Sequence, residues 1–192
     1  VGYLVKSAKV KFAYAEDQEQ VDKLINVQKK LKTKIKVIYD DPRGLEKLKN
    51  PNVINMKDLA SEGKKQLDKN NKLYENLINK VSGETVSVLC TTSGTTSNPK
   101  LAMLPANKFI NHISNYLKVD PKSHLDEYVS VLPFPWIMEQ TYGVGFNLLS
   151  GMKVNFPENS ETAMDDLREI GPTFMLGAPR LWEQISADMR AR

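Results

Sequence analysis

Thr85-Val86-Ser87-Val88-Leu89-Cys90-Thr91-Thr92-Ser93-Gly94-Thr95-Thr96-Ser97-Asn98-Pro99-Lys100 joins an apolar, β-branched run to a run of hydroxyls. The first part, Thr85 to Cys90, reads as a buried strand. The second leaves the end of that strand, where open α/β sheets present their ligand-binding loops. Its chemistry suits an anion: hydroxyls donate hydrogen bonds, small side chains let backbone N–H groups approach a phosphate, and Lys100 adds a positive charge. Gly94 permits a positive φ and close contact. The same residue types also make ordinary surface turns, and composition does not separate the two readings. A Walker-type P-loop fits poorly. Pro99 stands where a Gly precedes the Lys, and Leu101 where a Ser or Thr would hold Mg²⁺.

Upstream, Val10 to Ala15 reads as a strand. Asp17 sits three residues before Gln20, a capping-box spacing. Val21, Leu24, Ile25, Gln28 and Leu31 follow at helical spacing. Ile35 to Tyr39 is a second strand, closed by the turn Asp40-Asp41-Pro42-Arg43-Gly44. This β-α-β unit predicts two parallel strands with a right-handed crossover. It carries no G-x-G-x-x-G and reads as scaffold. Val53-Ile54-Asn55 is a short strand. Met56 to Lys80 is helical in two pieces broken near Lys69 to Lys72, burying Leu59 and Leu67, then Tyr74, Leu77, Ile78 and Val81.

Downstream, Leu101 to Leu104 returns as a strand, so the hydroxyl-rich loop closes a hairpin. Asn107 is a candidate helix cap, with Phe109, Ile110, Ile113, Tyr116 and Leu117 on one face. Glu127 to Leu132 is a strand that must stop at Pro133 and Pro135. Phe134 and Trp136 then either line an apolar ligand site or cover the core. Tyr142 to Leu149 reads as an apolar helix, Gly151 to Phe156 as a strand and Glu161 to Ile170 as a helix stopped by Gly171-Pro172. Pro172 to Gly177 is a further strand. Pro179 opens the last helix, a favourable place for proline.

The bulk properties exclude several classes. No apolar run approaches the roughly 20 residues that span a bilayer. One cysteine, Cys90, rules out a disulfide framework and points to a reducing, cytoplasmic setting. His112 and His124 lack partners at metal-ligand spacing. Lysines and arginines number 27 against 23 acids, a net charge of +4. The lysines are interleaved with acids and Asn rather than gathered with stacking aromatics. They read as solvated helix faces, and nucleic acid is not an expected partner.

The order Thr92-Ser93-Gly94-Thr95-Thr96-Ser97-Asn98-Pro99-Lys100 closely resembles the signature T-S-G-T-T-G-x-P-K-G of adenylate-forming enzymes, the acyl-CoA synthetase and luciferase superfamily. Ser97 and Leu101 depart from it, each standing where Gly is usual. Leu132-Pro133-Phe134-Pro135-Trp136-Ile137-Met138-Glu139 is similar to the L-P-x-x-H-x-x-E motif of long-chain acyl-CoA synthetases, with Trp136 at the His position. Gly171-Pro172-Thr173 with Pro179-Arg180-Leu181-Trp182-Glu183 resembles their P-T…P-R-x-x-E pattern. The three motifs occur in family order and span nearly the whole chain.

The resemblance implies an α/β fold of layered sheets flanked by helices, part of the large N-terminal domain of an adenylate-forming enzyme. Residues 1–81 would be a β-α-β scaffold with helices, and residues 82–192 the signature loop and acyl-pocket region. It implies ATP, Mg²⁺ and coenzyme A as cofactors and a fatty acid as substrate. Thr92, Ser93, Gly94, Thr95, Thr96 and Lys100 would bind the β and γ phosphates, with Thr95 as Mg²⁺ contact. Trp136, Gly177 and Arg180 would bind the acyl substrate; Trp136 cannot serve as a base. The family's later Y-G-x-T-E segment and its C-terminal domain with a catalytic Lys are absent. The expectation is therefore a piece of a longer ligase, inactive alone and holding no catalytic residue. Peripheral membrane contact of the parent and homo-oligomerisation through exposed faces remain open. So does a non-catalytic anion- or protein-binding module, and so does a medium-chain or aryl acid ligase.

Overall fold

The computed structural model describes residues 1–92, 99–159 and 161–190. They form two compact units, Val1–Ser82 and Gly83–Arg192. Both mix α and β structure, as the sequence implies.

The first unit begins with a short helix, α1 (Gly2–Ser7), followed by β1 (Phe12–Ala15), α2 (Gln18–Leu31) and β2 (Lys36–Tyr39). Asp17 starts α2 as expected: its Oδ1 accepts the Gln20 N–H at 3.0 Å, satisfying a donor the first turn would leave open. β1 and β2 pair in parallel, Phe12 beside Lys36 through Ala15 beside Tyr39. β3 (Val53–Asn55) extends the sheet on the far side of β2, also in parallel. Val5, Ala15, Val21, Ile35, Val37 and Leu45 form the core of this unit.

Two helices follow, α3 (Met56–Lys69) and α4 (Leu73–Ile78), broken where the asparagines stand. Their apolar residues are not buried, contrary to the sequence reading. Leu59, Leu67, Tyr74, Leu77, Ile78 and Val81 are all exposed. A helical period says which residues share a face, and only a neighbouring element can cover that face; no core residue of this unit comes from α3 or α4.

The second unit opens on a hairpin of β4 (Val86–Thr91) and β5 (Leu101–Pro105), paired antiparallel from Val86–Pro105 to Thr91–Leu101. β4 is not the fully buried strand its composition suggests. Cys90 is buried and Val88 half-buried on one face, while Ser87, Leu89 and Thr91 on the other are exposed. A two-stranded ribbon has a single covered side. Helix α5 (Ala106–Val119) follows directly. Asn107 is its second residue rather than its cap. The N–H groups of Ala106 and Asn107 already bond to the carbonyls of Thr85 and Gly83, and the Asn107 amide donates to Glu84 Oε1 at 2.6 Å.

β6 (Glu127–Val129) pairs in parallel with β7 (Lys153–Asn155). β6 is shorter than its apolar run: the Ser130 N–H still bonds to the Asn155 carbonyl at 2.9 Å, and pairing stops there because β7 ends at Asn155. Between them runs one continuous helical stretch: α6 (Ile137–Glu139), a π-helical segment over Gln140–Phe146, and α7 (Asn147–Ser150). It starts earlier than expected, and its middle is wound more widely than an α-helix. Helices α8 (Ala163–Ile170) and α9 (Pro179–Arg190) complete the unit. Pro172 to Gly177 is not a strand: among the described residues its one β-bridge to the sheet is Tyr128–Phe174. Pro172 lacks an N–H, and the Thr173 hydroxyl, not a backbone carbonyl, accepts the Glu127 N–H at 2.9 Å. Ile113, Tyr128, Tyr142, Phe146 and Met152 form the core, with Tyr142 stacked on Phe174 at 5.1 Å between centroids.

Candidate active site

The hairpin stem is closed by backbone and side chain together. The Thr92 N–H donates to the Lys100 carbonyl at 2.9 Å, and the Thr92 hydroxyl donates to the same oxygen at 3.3 Å. Both residues are exposed, and Lys100 has no ion-pair partner among the described residues. An exposed ammonium carried at the end of such a β-ribbon can hold a phosphate oxygen. Ser93, Gly94, Thr95 and Thr96, with Ser97 and Asn98, lie outside the described residues. The Mg²⁺ contact assigned to Thr95 lies there too.

Trp136 is placed by a turn whose Trp136 N–H bonds to the Pro133 carbonyl at 2.9 Å. The Gln140 side chain ties down the Phe134 carbonyl at 2.7 Å. Neither aromatic covers the core: Phe134 is 62% and Trp136 49% exposed. Instead Trp136 walls a cavity of about 310 Å³ with Leu132, Pro133, Met164, Ala178 and Leu181. This lining is apolar, and the volume falls at the small end of the roughly 300–1,000 Å³ range of ligand sites. A second hollow of about 310 Å³ lies between α8 and α9 and shares Met164 and Leu167 with the first.

Gly177 packs under α9. A Cβ there would stand 2.6 Å from Leu181 Cδ2, and its carbonyl accepts the Trp182 indole N–H at 3.1 Å. It therefore sets how closely the cavity wall approaches. Arg180 is exposed, makes no ion pair among the described residues and does not line the cavity. So the structure gathers Trp136 and the neighbours of Gly177 around one hollow, and leaves Arg180 on the surface.

The sequence reading quoted Glu139 as the last residue of the Leu132–Glu139 motif but gave it no role, and it is the polar anchor of this region. Glu139 is 1% exposed. Its carboxylate accepts the Tyr128 hydroxyl at 2.7 Å and the Ser130 hydroxyl at 2.5 Å. Burial, then the bond to Glu139 and its charge, push the Tyr128 phenol well above its ordinary range, so it stays protonated and donates. The π-helix continues directly from Glu139, and Gly143 leaves room for the carboxylate: a Cβ there would lie within contact-violating distance of Glu139 Oε1. An acid inside the apolar run Trp136 to Phe146 was the available signal.

A stem that presents Thr92 and Lys100, in one compact unit with an apolar cavity, suits an enzyme that handles a phosphorylated and a hydrophobic group. Comparison with known proteins identifies the class: the chain matches the AMP-binding enzyme family over residues 1–192 and belongs to it. Among curated proteins it is 29% identical over 191 residues to the long-chain-fatty-acid–CoA ligase ACSBG1 of Rattus norvegicus, covering 95% of this chain and 26% of that protein. The Homo sapiens protein of the same name is 30% identical over 178 residues, covering 88% and 24%. The chain thus spans about a quarter of the length of these relatives. Among solved structures, VinN in complex with L-aspartate superposes with a TM-score of 0.68 at 20% identity, over 99% of this chain and 42% of that one. The luciferase-like enzyme of the nonluminescent Zophobas morio mealworm gives 0.65 at 14% identity, over 93% and 38%. Both support the fold.

Proposed function

We propose that the chain is the part of an ATP-dependent long-chain fatty acid–CoA ligase that holds the nucleotide's phosphates and borders the acyl group. In that reaction a fatty carboxylate attacks the α-phosphate of ATP, giving acyl-AMP and pyrophosphate. The thiol of coenzyme A then attacks the acyl carbon and AMP leaves. Thr92, Ser93, Gly94, Thr95, Thr96 and Lys100 would hold the β and γ phosphates, and Thr95 would hold Mg²⁺. The ion would neutralise phosphate charge. Lys100 holds its phosphate oxygen as a fixed point charge and transfers no proton. The barrier falls through positioning and charge neutralisation. Trp136 and Gly177 shape the wall met by the acyl chain, and Arg180 lies at its margin. The protein works in the cytoplasm.

The observation that carries this reading is the exposed Thr92–Lys100 stem in the same unit as the Trp136 cavity. On this reading the chain alone does not sustain turnover, since it spans about a quarter of the length of the relatives it matches. Two measurements test this. Pyrophosphate release with palmitate and Mg-ATP should stop short of steady turnover; sustained release overturns the assignment of missing parts. Mg-ATP should raise the melting temperature of the native chain and not of a Thr95→Ala, Lys100→Ala variant. An equal rise in both removes the loop from the nucleotide site.

A further inference from the structure

In the first unit, six lysines surround one concavity. Lys6 and Lys9 come from α1 and the turn after it, Lys11 from the entry to β1, and Lys30, Lys32 and Lys34 from the end of α2 and the segment before β2. The hollow has a volume of about 600 Å³, and Val5, Val10 and Leu31 supply its apolar lining. No acidic residue lines it. None of the six ammonium groups has an ion pair or side-chain hydrogen bond among the described residues. Among the described residues, four lysines outside the hollow are ion-paired: Lys23 with Glu19, Lys65 with Glu62, Lys122 with Asp120 and Lys153 with Glu127. Uncompensated like charges around a hollow repel one another and focus a positive field.

The backbone adds a second, independent observation. Lys9 and Lys32 are the only non-glycine residues at positive φ among the described residues, each at 50°. Both close a helix in the same way: the Val10 N–H returns to the Val5 carbonyl at 3.1 Å, and the Thr33 N–H to the Gln28 carbonyl at 3.2 Å. That left-handed closing position usually belongs to Gly, or to Asn, and a long side chain there carries a conformational cost. Two helices of this unit spend that cost on lysine, and both lysines face the same hollow. The two helix C-termini bring roughly half a negative charge each, too little to balance six ammonium groups.

We propose that this hollow is a binding site for a compact, multiply phosphorylated anion, separate from the nucleotide loop. Concavity favours a compact ligand over the flat surface of a bilayer. Lysines act as point charges for phosphate, without the planar fork that selects carboxylates. No aromatic ring lines the hollow to stack a base, which disfavours single-stranded nucleic acid. A phosphoinositide headgroup and a free polyphosphate share the required chemistry.

Calorimetric titration of the chain with inositol hexakisphosphate tests the site. A Lys6→Gln, Lys30→Gln, Lys34→Gln variant removes three charges and leaves both left-handed positions intact. A Lys64→Gln, Lys69→Gln, Lys72→Gln variant removes three from α3 and its end. Circular dichroism verifies that both fold. The expected result is at least a tenfold loss of affinity in the first variant and less than twofold in the second. Flotation with phosphatidylcholine vesicles, with and without phosphatidylinositol bisphosphate, separates the sources. Headgroup-dependent flotation assigns a lipid source, and its absence with retained titration assigns a soluble one. Equal losses in both triple variants, no binding at millimolar concentration, or tighter binding to single-stranded DNA each overturn the proposal. So does flotation driven equally by phosphatidylserine without binding of the soluble anion.

Discussion

Gly143→Ala tests how far the buried Glu139 network organises the second unit. The new methyl group would meet Glu139 Oε1 well inside van der Waals contact and Cδ at 3.2 Å. The carboxylate has little freedom to withdraw, because two hydroxyls hold it at 2.7 and 2.5 Å. Displacing it loosens one or both bonds, each worth about 1.5–3 kcal/mol for a charged acceptor. Against this, Ala gains up to about 1 kcal/mol over Gly in a helix. The net expectation is a destabilisation of about 1–3 kcal/mol, read from urea unfolding of this unit. The mechanism is separated from general overpacking by a second background. In Glu139→Ala the carboxylate is gone, and Gly143→Ala should become neutral or stabilise by about 0.5–1 kcal/mol. An equal cost in both backgrounds would refute the coupling through Glu139.

Gly177→Ala should cost about 1–3 kcal/mol by driving a Cβ against Leu181, and should shift Trp182 fluorescence because its indole bonds to the Gly177 carbonyl; unchanged stability and emission would contradict the packing. Asp17→Ala should remove the cap of α2 and cost about 1 kcal/mol in thermal melts of the first unit. The pH dependence follows from Asp126 and Glu127. The Ser123 N–H, followed by the Thr173 and Ser123 hydroxyls, holds Asp126 below the usual carboxylate range. The Lys153 ammonium does the same for Glu127. Carboxyls lowered by folding stabilise above their unfolded pKa, so stability should be flat near neutrality and fall as pH drops through about 4. An Asp126→Asn variant should show a shallower acid fall; an identical slope would discount that contribution.

The elements that local chemistry dictates were legible in the sequence. Asp17 with Gln20 marked the start of α2, the asparagines at 70 and 71 marked the break between α3 and α4, and Pro179 marked the start of α9. The misreadings arose where tertiary neighbours decide. The apolar residues of α3 and α4 follow a helical period, but the period does not say whether a neighbouring element covers them. Asn107 has a capping side chain, yet backbone carbonyls from Gly83 and Thr85 had already met the helix's open donors. At the candidate site, the Thr92 and Lys100 positions and the Trp136 turn follow from motif order. Glu139 stands at the Glu position of the Leu132–Glu139 motif, but the motif gives it no partner; its role emerges only when Tyr128 and Ser130 converge on it from β6 and the residue after it.

Leu101 is the larger departure from the family signature, and its place in β5 gives it a definite consequence. It pairs with Thr91, so regular β structure resumes immediately after Lys100. Together with the Thr92–Lys100 backbone bond, this makes the ribbon act as a clothes-peg. The ammonium's point of attachment is pinned from behind, whatever residues occupy the seven intervening positions. Sequence drift inside the bracket can then retune recognition, while the jaw that aims the charge keeps its bearing.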